Sequence, residues 1–330
     1  MRPEVERWFA AHTIQRPRWT VRELVAAKRG RTVSVVLPAL NEEATVAGVV
    51  RAVLPHTVPV SPGPGGAPGE PLVDELVVLD SGSTDRTVEV AAAAGARVVR
   101  REEVLPDLPP RPGKGEVLWR SLAATRGDLV VFLDSDLVEV DPGFVPALLG
   151  PLLTADGVHL VKGFYRRPLR LESGEEGGTG GGRVTELLAR PLLAALRPEL
   201  SGLVQPLGGE YAATRELLES VPFAPGYGVE IGLLLDTLDT RGLDAIAQVN
   251  LGVRKHRNRN LHQLGLMARQ ILGTMLRRCG VPDTGEPYPR FVQVAGEWLP
   301  DVADVALDDR PPMREIRAGA RGDGVGQPTG

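Results

Sequence analysis

Three predominantly apolar runs rich in β-branched residues lie in the first half of the chain. They cover Val33 to Leu37, Leu76 to Leu79 and Leu129 to Leu133. A polar, turn-forming cluster follows each run, and a helical pattern follows each cluster. These helical patterns cover Glu42 to Ala52, Arg86 to Ala94 and Gly143 to Leu149. Buried strands that alternate with helices at this spacing predict an α/β fold with a doubly wound, mostly parallel sheet.

Further helical patterns predict a C-terminal half that is richer in helices. They cover Val117 to Ala124, Glu186 to Leu196 and Leu261 to Leu276. Two segments rich in Gly have no hydrophobic periodicity. We expect Ser61 to Pro71 to be a surface insertion and Arg317 to Gly330 to be a disordered tail.

Composition and charge exclude several classes of protein. The 330 residues are 42% apolar and 24% charged, which is typical of a soluble globular protein. The net charge of -4 argues against general nucleic-acid binding, because neutralising a phosphate backbone requires a basic surface. Residues 1–9 lack the apolar core of a signal peptide, and no run approaches the ~20 apolar residues of a membrane span. We therefore expect a soluble, cytoplasmic protein with no membrane segment.

The triplet Asp134-Ser135-Asp136 comes directly after the third apolar run. Residues i and i+2 of an extended segment point the same way, so both carboxylates are predicted to face one divalent ion. Mg²⁺ and Mn²⁺ prefer oxygen ligands and share them with substrate phosphates. A turn with capping Asp residues is the simpler alternative. The position after a strand of an α/β series favours the metal site.

The other two polar clusters also follow predicted strands. Pro38 ends the first strand, and Asn41 is predicted to cap the next helix, with Glu42 in its first turn. The second strand leads into the tight turn Asp80 to Asp85, whose small residues allow the backbone to approach a ligand. Because ligands of doubly wound sheets bind at the carboxyl ends of the strands, we expect these clusters to form one site.

In order along the chain, the segments Leu37 to Glu43, Leu79 to Thr87 and Phe132 to Asp136 resemble the nucleotide-sugar half of GT-A-type glycosyltransferases. Four later segments make the chain similar to the actinobacterial glucosyl-3-phosphoglycerate synthases, a family of retaining glycosyltransferases. They are Gly182 to Thr185, Gly208 to Tyr211, Gly226 to Glu230 and Arg254 to Asn260. The resemblance implies a GT-A-type fold with an elaborated helical C-terminal half.

The resemblance also implies a domain organisation. We expect an N-terminal helical extension over 1–30 and a nucleotide-sugar-binding half over 31–165. An acceptor-binding half over 166–300 and a partly disordered tail over 301–330 would follow. A homodimer is implied too, for which the apolar C-terminal helices are the expected contact surface.

The resemblance implies a role for each matching residue. UDP-glucose would be bound by Pro38, Ala39, Leu40, Asn41, Glu42, Ser81, Lys114, Asp134, Ser135 and Arg254, with Tyr227, Gly228, Val229 and Glu230 around the glucose. Mg²⁺ or Mn²⁺ would be held by Asp136 and His256. The groups expected to take part in catalysis are Asp136, Lys114 and Glu230. A solvated loop lysine and a solvated histidine in a basic run are the simpler alternatives for Lys114 and His256.

The expected acceptor is 3-phosphoglycerate, a small trianion. A Gly-rich tract leads into a predicted helix, whose first backbone N–H groups attract an anion. Arg183 can form a bidentate contact with a phosphate or carboxylate. The full predicted set is Gly182, Arg183, Val184, Thr185 and Asn258. A flexible linker is the alternative interpretation of this tract.

The implied reaction moves glucose from UDP-glucose to the 2-hydroxyl of 3-phosphoglycerate with retention of configuration. Two displacements would require a carboxylate nucleophile, for which Glu230 is the one candidate we can name. We prefer a front-face mechanism, in which the leaving phosphate helps to deprotonate the acceptor.

Several other functions remain open at this point. The same scaffold could use GDP-mannose to make mannosyl-3-phosphoglycerate. A polyprenyl-phosphate glycosyltransferase would carry an apolar membrane segment, and a catalytically inactive nucleotide-sugar sensor would lack Asp136 or Lys114. A nucleotidyltransferase would have a Gly-rich basic segment after the first strand, where this chain has Pro38 to Glu43.

Overall fold

The computed structural model describes residues 1–60, 69–166, 168–170, 176–179, 182–253 and 261–322. The helices in these ranges are α1 (Pro3–His12), α2 (Val21–Lys28), α3 (Val46–Val53), α4 (Thr87–Ala93), α5 (Lys114–Ala124), α6 (Phe144–Thr154), α7 (Arg190–Leu196), α8 (Arg215–Ser220), α9 (Val229–Arg241), α10 (Leu261–Arg278) and α11 (Met313–Gly322). The strands are β1 (Thr13–Ile14), β2 (Val33–Ala39), β3 (Glu75–Asp80), β4 (Arg97–Arg100), β5 (Leu129–Phe132), β6 (Leu160–Arg166), β7 (Pro168–Arg170), β8 (Glu176–Thr179), β9 (Tyr211–Thr214), β10 (Ile246–Val253), β11 (Tyr288–Val294) and β12 (Glu297–Ala303).

Within the described ranges, a central sheet has the strand order β1-β10-β6-β9-β5-β2-β3-β4. Every neighbouring pair is parallel except those of β9, which runs antiparallel to both β5 and β6. The prediction of a mostly parallel α/β sheet is therefore confirmed. The three predicted strands are β2, β3 and β5, and they lie side by side. Their carboxyl ends, with the three polar clusters, thus meet at one edge of the sheet.

The apolar runs are continuous because helices cover both faces of the sheet. On β5, Leu129 and Val131 belong to one core cluster, whereas Val130 and Phe132 belong to the other. The first cluster packs under α3 and α6, and the second packs under α5, α9 and α10. A strand that is buried on both faces has no solvent-exposed positions for polar side chains, so its sequence is a continuous apolar run.

The C-terminal residues differ from the prediction of a disordered tail from Arg317. Residues 317–322 belong to α11, whose first residue Met313 is fully buried in the second core cluster. Arg310 also forms a β-bridge with Phe223. The rest of the predicted tail, 323–330, lies outside the described residues, as do 61–68 of the predicted insertion. The domain boundaries stay a prediction.

The helix predicted over Glu186 to Leu196 begins as a π-helical turn over Thr185–Ala189 and continues as α7. Further along, β11 and β12 form a separate antiparallel hairpin. No helix in the described part of the chain is both long and apolar enough to cross a membrane.

Candidate active site

A buried ion cluster lies at the carboxyl edge of the sheet. The ammonium of Lys114, at the first residue of α5, lies 2.5 Å from Asp134 Oδ1 and 2.7 Å from Glu230 Oε1. The three side chains are 16%, 22% and 5% exposed, respectively. Burial lowers the pKa of Lys114, but the two carboxylates outweigh it and raise the pKa well above its ordinary value. Lys114 is therefore a fixed positive charge in the site, and it is not the solvated loop lysine of the alternative interpretation.

Glycines around Lys114 allow two backbone segments to come very close. A Cβ on Gly115 would lie 2.0 Å from the carbonyl oxygen of Ala224, and one on Gly113 would lie 2.9 Å from Gly226 Cα. Gly113 also has a φ of 104°, which strains any L side chain. This contact places the start of α5 against the turn Gly226–Gly228, which leads into α9 and Glu230.

The carboxylate of Asp134 lies against the backbone of a second glycine segment. A Cβ on Gly209 would lie 2.2 Å from Asp134 Oδ2. Gly208 and Gly209 precede β9, the antiparallel strand beside β5. The matching segment Gly208 to Tyr211 thus has a physical role, since it leaves room for the carboxylate that holds Lys114.

The expectation that Asp134 and Asp136 lie on one extended segment is wrong. The strand β5 ends at Phe132, and Ser135 and Asp136 lie in a turn, so the two carboxylates do not share strand geometry. Ser135 is buried and its hydroxyl donates to the carbonyl of Pro38 at 2.7 Å. The turn is thereby anchored to the end of β2, and Asp134 and Asp136 take different surroundings.

A divalent ion could be held at Asp136, which is partly exposed in this turn. The carboxylate chemistry fits Mg²⁺ or Mn²⁺, which keep several water molecules and substrate phosphates as further ligands. Among the described residues, no group of three His, Cys, Asp or Glu side chains forms a metal site on its own. His256, the other predicted ligand, lies outside the described residues, as do Arg254 and Asn258.

The first two turns interlock through Asn41, which does not cap a helix as predicted. Its φ is 57°, and its side-chain Oδ1 accepts a hydrogen bond from the N–H of Thr84 at 2.8 Å. Its own N–H donates to Ser83 Oγ at 2.9 Å. The helix α3 starts only at Val46, after Thr45. Asn tolerates positive φ and bonds locally, so this position was open to a turn role as well as a cap.

Ser81 has a cationic neighbour that no sequence motif indicates. Arg101, in the turn after β4, donates to Ser81 Oγ at 3.3 Å. Leu40 is exposed directly after β2, while Ala39 is buried at the end of that strand. Arg101 is close to Ser81 because β4 pairs with β3, and no local motif indicates that pairing.

The segment from Tyr227 to Glu230 is fixed from behind by α10. Gln270 Oε1 accepts a hydrogen bond from the N–H of Tyr227 at 3.0 Å. A Cβ on Gly228 would lie 2.1 Å from Thr274 Oγ1, so only glycine fits there. Val229 and Glu230 are buried in the first turn of α9.

The predicted acceptor segment leads into the π-helical turn Thr185–Ala189. Arg183 is exposed, whereas Val184 and Thr185 are buried, and the carbonyl of Gly182 accepts a hydrogen bond from the N–H of Glu186 at 3.0 Å. A helical start with an exposed guanidinium is compatible with anion binding. The role of these residues stays a prediction.

Comparisons with known proteins agree with the geometry. Residues 34–168 match the model of the family described as Glycosyl transferase family 2. The glucosyl-3-phosphoglycerate synthase of Mycolicibacterium smegmatis is 64% identical over 94% of this chain and 98% of its own length. The synthase of Petrotoga mobilis is 44% identical over 78% of this chain and 77% of its own.

Solved crystal structures extend the likeness to three dimensions. A glucosyl-3-phosphoglycerate synthase from Mycobacterium tuberculosis in complex with Mn²⁺, UDP-glucose and phosphoglyceric acid is 60% identical to this chain. The match covers 93% of this chain and 99% of the solved chain, with a TM-score of 0.83. Another crystal structure of that enzyme holds Mg²⁺ and UDP. At these identities over nearly the full length of both chains, the protein belongs to the glucosyl-3-phosphoglycerate synthase family of glycosyltransferases.

Proposed function

We propose that this enzyme transfers glucose from UDP-glucose to the 2-hydroxyl of 3-phosphoglycerate, giving glucosyl-3-phosphoglycerate and UDP. The observation that carries the proposal is the buried cluster of Lys114, Asp134 and Glu230, at the strand ends of a chain 60% identical to a relative solved with Mn²⁺, UDP-glucose and phosphoglyceric acid. That relative's ligands favour UDP-glucose over the alternative donor GDP-mannose.

In this proposal the chain's own residues orient the donor. The interlocked turns of Asn41 and Ser81 would bind uridine, and Lys114 would face the diphosphate with its fixed charge. Asp136 and His256 would hold Mg²⁺ or Mn²⁺. When bound, such an ion supplies electrostatic stabilisation of the negative charge on departing UDP.

The surroundings of Glu230 support a front-face mechanism. Its carboxylate is 5% exposed and lies 2.7 Å from the ammonium of Lys114. A carboxylate that is neutralised in this way is a poor nucleophile, because attack would require breaking a buried ion pair. Glu230 would instead bind sugar hydroxyls. A glycosyl adduct on Glu230, trapped and detected by mass spectrometry, would contradict the mechanism.

The acceptor would be bound by Arg183, Thr185 and Asn258. A guanidinium at the start of a helical segment suits a phosphate or a carboxylate, and 3-phosphoglycerate carries both. Replacing Arg183 by Met should raise the KM for 3-phosphoglycerate much more than the KM for UDP-glucose. An equal change in both constants would contradict the assignment.

One assay tests the proposed reaction directly. The purified enzyme with Mg²⁺ and 3-phosphoglycerate is offered UDP-glucose and GDP-mannose in parallel, and the release of UDP or GDP is recorded. Turnover with UDP-glucose is expected. Turnover with GDP-mannose alone would favour the alternative donor, and no turnover with either would refute the proposed reaction.

We further propose that the enzyme is a cytoplasmic homodimer whose contact surface is the β11–β12 hairpin. The apolar residues Ile271 and Met275 of α10 pack in the core of the same chain, which favours the hairpin over α10 as the contact surface. On one face of the hairpin, Phe291, Trp298 and Val302 are 59%, 67% and 59% exposed. An aromatic and aliphatic face of this kind is typical of a contact between proteins.

Sedimentation equilibrium tests this contact surface. A double variant, Phe291→Lys with Trp298→Lys, should shift the enzyme from dimer to monomer. Val294→Lys is the matched control, since Val294 lies on the opposite face of the same hairpin. A double variant that stays dimeric would exclude the hairpin as the contact.

A further inference from the structure

A second buried lysine lies next to the ion cluster. Lys162, on β6, is 2% exposed. Its ammonium donates to the carbonyl of Gly208 at 2.5 Å and lies 4.5 Å from the centroid of the Tyr211 ring. A buried lysine is costly in free energy and is retained only where its charge has partners. None of the matching motifs includes Lys162.

The contact with Gly208 connects Lys162 to the donor site. Gly208 is followed by Gly209, whose Cα lies against the carboxylate of Asp134. Asp134 in turn holds Lys114. A chain of contacts therefore runs from Lys162 through the glycine segment and Asp134 to the lysine that is expected to face the diphosphate.

Lys162 also changes the charge of the site. The ionised groups that face it are Lys114 from α5, Asp134 after β5, Glu210 before β9 and Glu230 from α9, with the phenol of Tyr211 beside them. With both lysines protonated, these groups carry two positive and three negative charges. Without the proton on Lys162, only one positive charge remains against three carboxylates, and the site would repel a diphosphate.

We propose that Lys162 is a positioning residue for the sugar-nucleotide donor: its ammonium fixes the glycine segment behind Asp134 and supplies the second positive charge that donor binding requires. This inference rests on the proposed function, because it takes UDP-glucose as the donor. It assigns the residue no contact with the reacting atoms.

The protonation of Lys162 gives the proposal a distinct signature. Burial is the largest influence on this group and lowers the pKa of Lys162 to about 8, although neighbouring carboxylates oppose the shift. The pKa values of Lys114 and Tyr211 are raised well above their ordinary values. Among these groups, Lys162 is thus the one that loses charge just above neutral pH. Donor affinity should fall as the pH rises through about 8.

Isothermal titration calorimetry of the enzyme with UDP and Mg²⁺ between pH 7 and pH 9.5 tests this predicted loss of affinity. For the wild type, affinity should fall by about tenfold from pH 7 to pH 9, as expected when one group must be protonated. Lys162→Met should bind UDP roughly tenfold more weakly at pH 7, with no further fall. Lys162→Arg should keep a charge at all these pH values and lose the alkaline fall.

A matched control and a kinetic measurement complete the test. Lys28→Met removes another buried lysine, whose ammonium lies 2.7 Å from Asp74 and which does not belong to the ion cluster. This variant should be less stable but should keep the wild-type pH dependence of UDP binding. Lys162→Met should raise the KM for UDP-glucose more than it lowers kcat.

The outcomes separate this inference from the proposed function. UDP binding without any alkaline fall in the wild type, or an unchanged fall in Lys162→Met, would overturn the role of Lys162 alone. If Lys162→Met does not fold, the pH dependence of UDP binding by the wild type and by Lys162→Arg still tests the role of Lys162. Absence of UDP binding at every pH would overturn both proposals. UDP binding with the expected alkaline fall, but without turnover on 3-phosphoglycerate, would refute the proposed reaction and support the proposed role of Lys162.

Discussion

Glu116 connects the C-terminal segment to the helix that carries Lys114. Its carboxylate accepts hydrogen bonds from Arg310 Nε at 2.6 Å and Nη2 at 2.9 Å, and from Arg120 Nε at 2.6 Å. The side chains of Glu116 and Arg120 are 2% and 0% exposed. Burial raises the pKa of Glu116, but the hydrogen bonds from both arginines outweigh it and lower the pKa.

Replacing Glu116 by Gln leaves two guanidinium groups without their shared counter-charge. Removing one partner of a buried ion pair costs about 3–5 kcal/mol of unfolding free energy, because the remaining charge stays buried. For a chain of 330 residues that corresponds to a fall of roughly 4–7 °C in the thermal midpoint. Arg310→Met should lower the unfolding free energy by less than Glu116→Gln, because Arg120 still neutralises the carboxylate of Glu116.

Thermal and urea unfolding, followed by circular dichroism, measure the loss. Glu186→Gln is the matched control, because the Glu186–Arg190 pair is exposed and such pairs contribute about 0–1 kcal/mol. The lowered pKa also determines how the stability depends on pH. The contribution of Glu116 to the unfolding free energy is present above its unfolded pKa and is lost as the pH falls through the folded pKa. The difference between wild type and Glu116→Gln should therefore shrink in acid. A loss no larger than that of the control would refute this account of the buried network.

Three further predictions concern the site and one distant helix. Asp136→Ala should abolish turnover, whereas Asp134→Ala should mainly raise the KM for UDP-glucose; equal losses of kcat would contradict separate roles. Gly209→Ala places a Cβ 2.2 Å from Asp134 Oδ2 and should raise the same KM, while Gly48→Ala has open space and should leave it unchanged. Thr20→Ala removes the capping box of α2 and should cost about 1 kcal/mol in urea unfolding, with unchanged kcat.

The local elements and their order can be predicted from the sequence alone. The runs that form β2, β3 and β5 are predominantly apolar over their whole length, and the turns after them contain the small and polar residues that end a strand. Because parallel strands place their carboxyl ends at one edge, the position of the candidate site could be predicted from the pattern alone. The matching motifs added the family, which the comparisons confirm.

The contacts between charged groups depend on the tertiary fold. Lys114, Lys162 and Glu230 lie on three separate elements, and no local spacing indicates their proximity. They come together because β9 inserts antiparallel between β5 and β6 and brings the glycine segment against Asp134. The turn role of Asn41 has the same origin, since its partner Thr84 belongs to the next strand's turn. Sequence periodicity records which face of an element is buried, whereas long-range ion pairs depend on sheet order and on close backbone contacts at glycine.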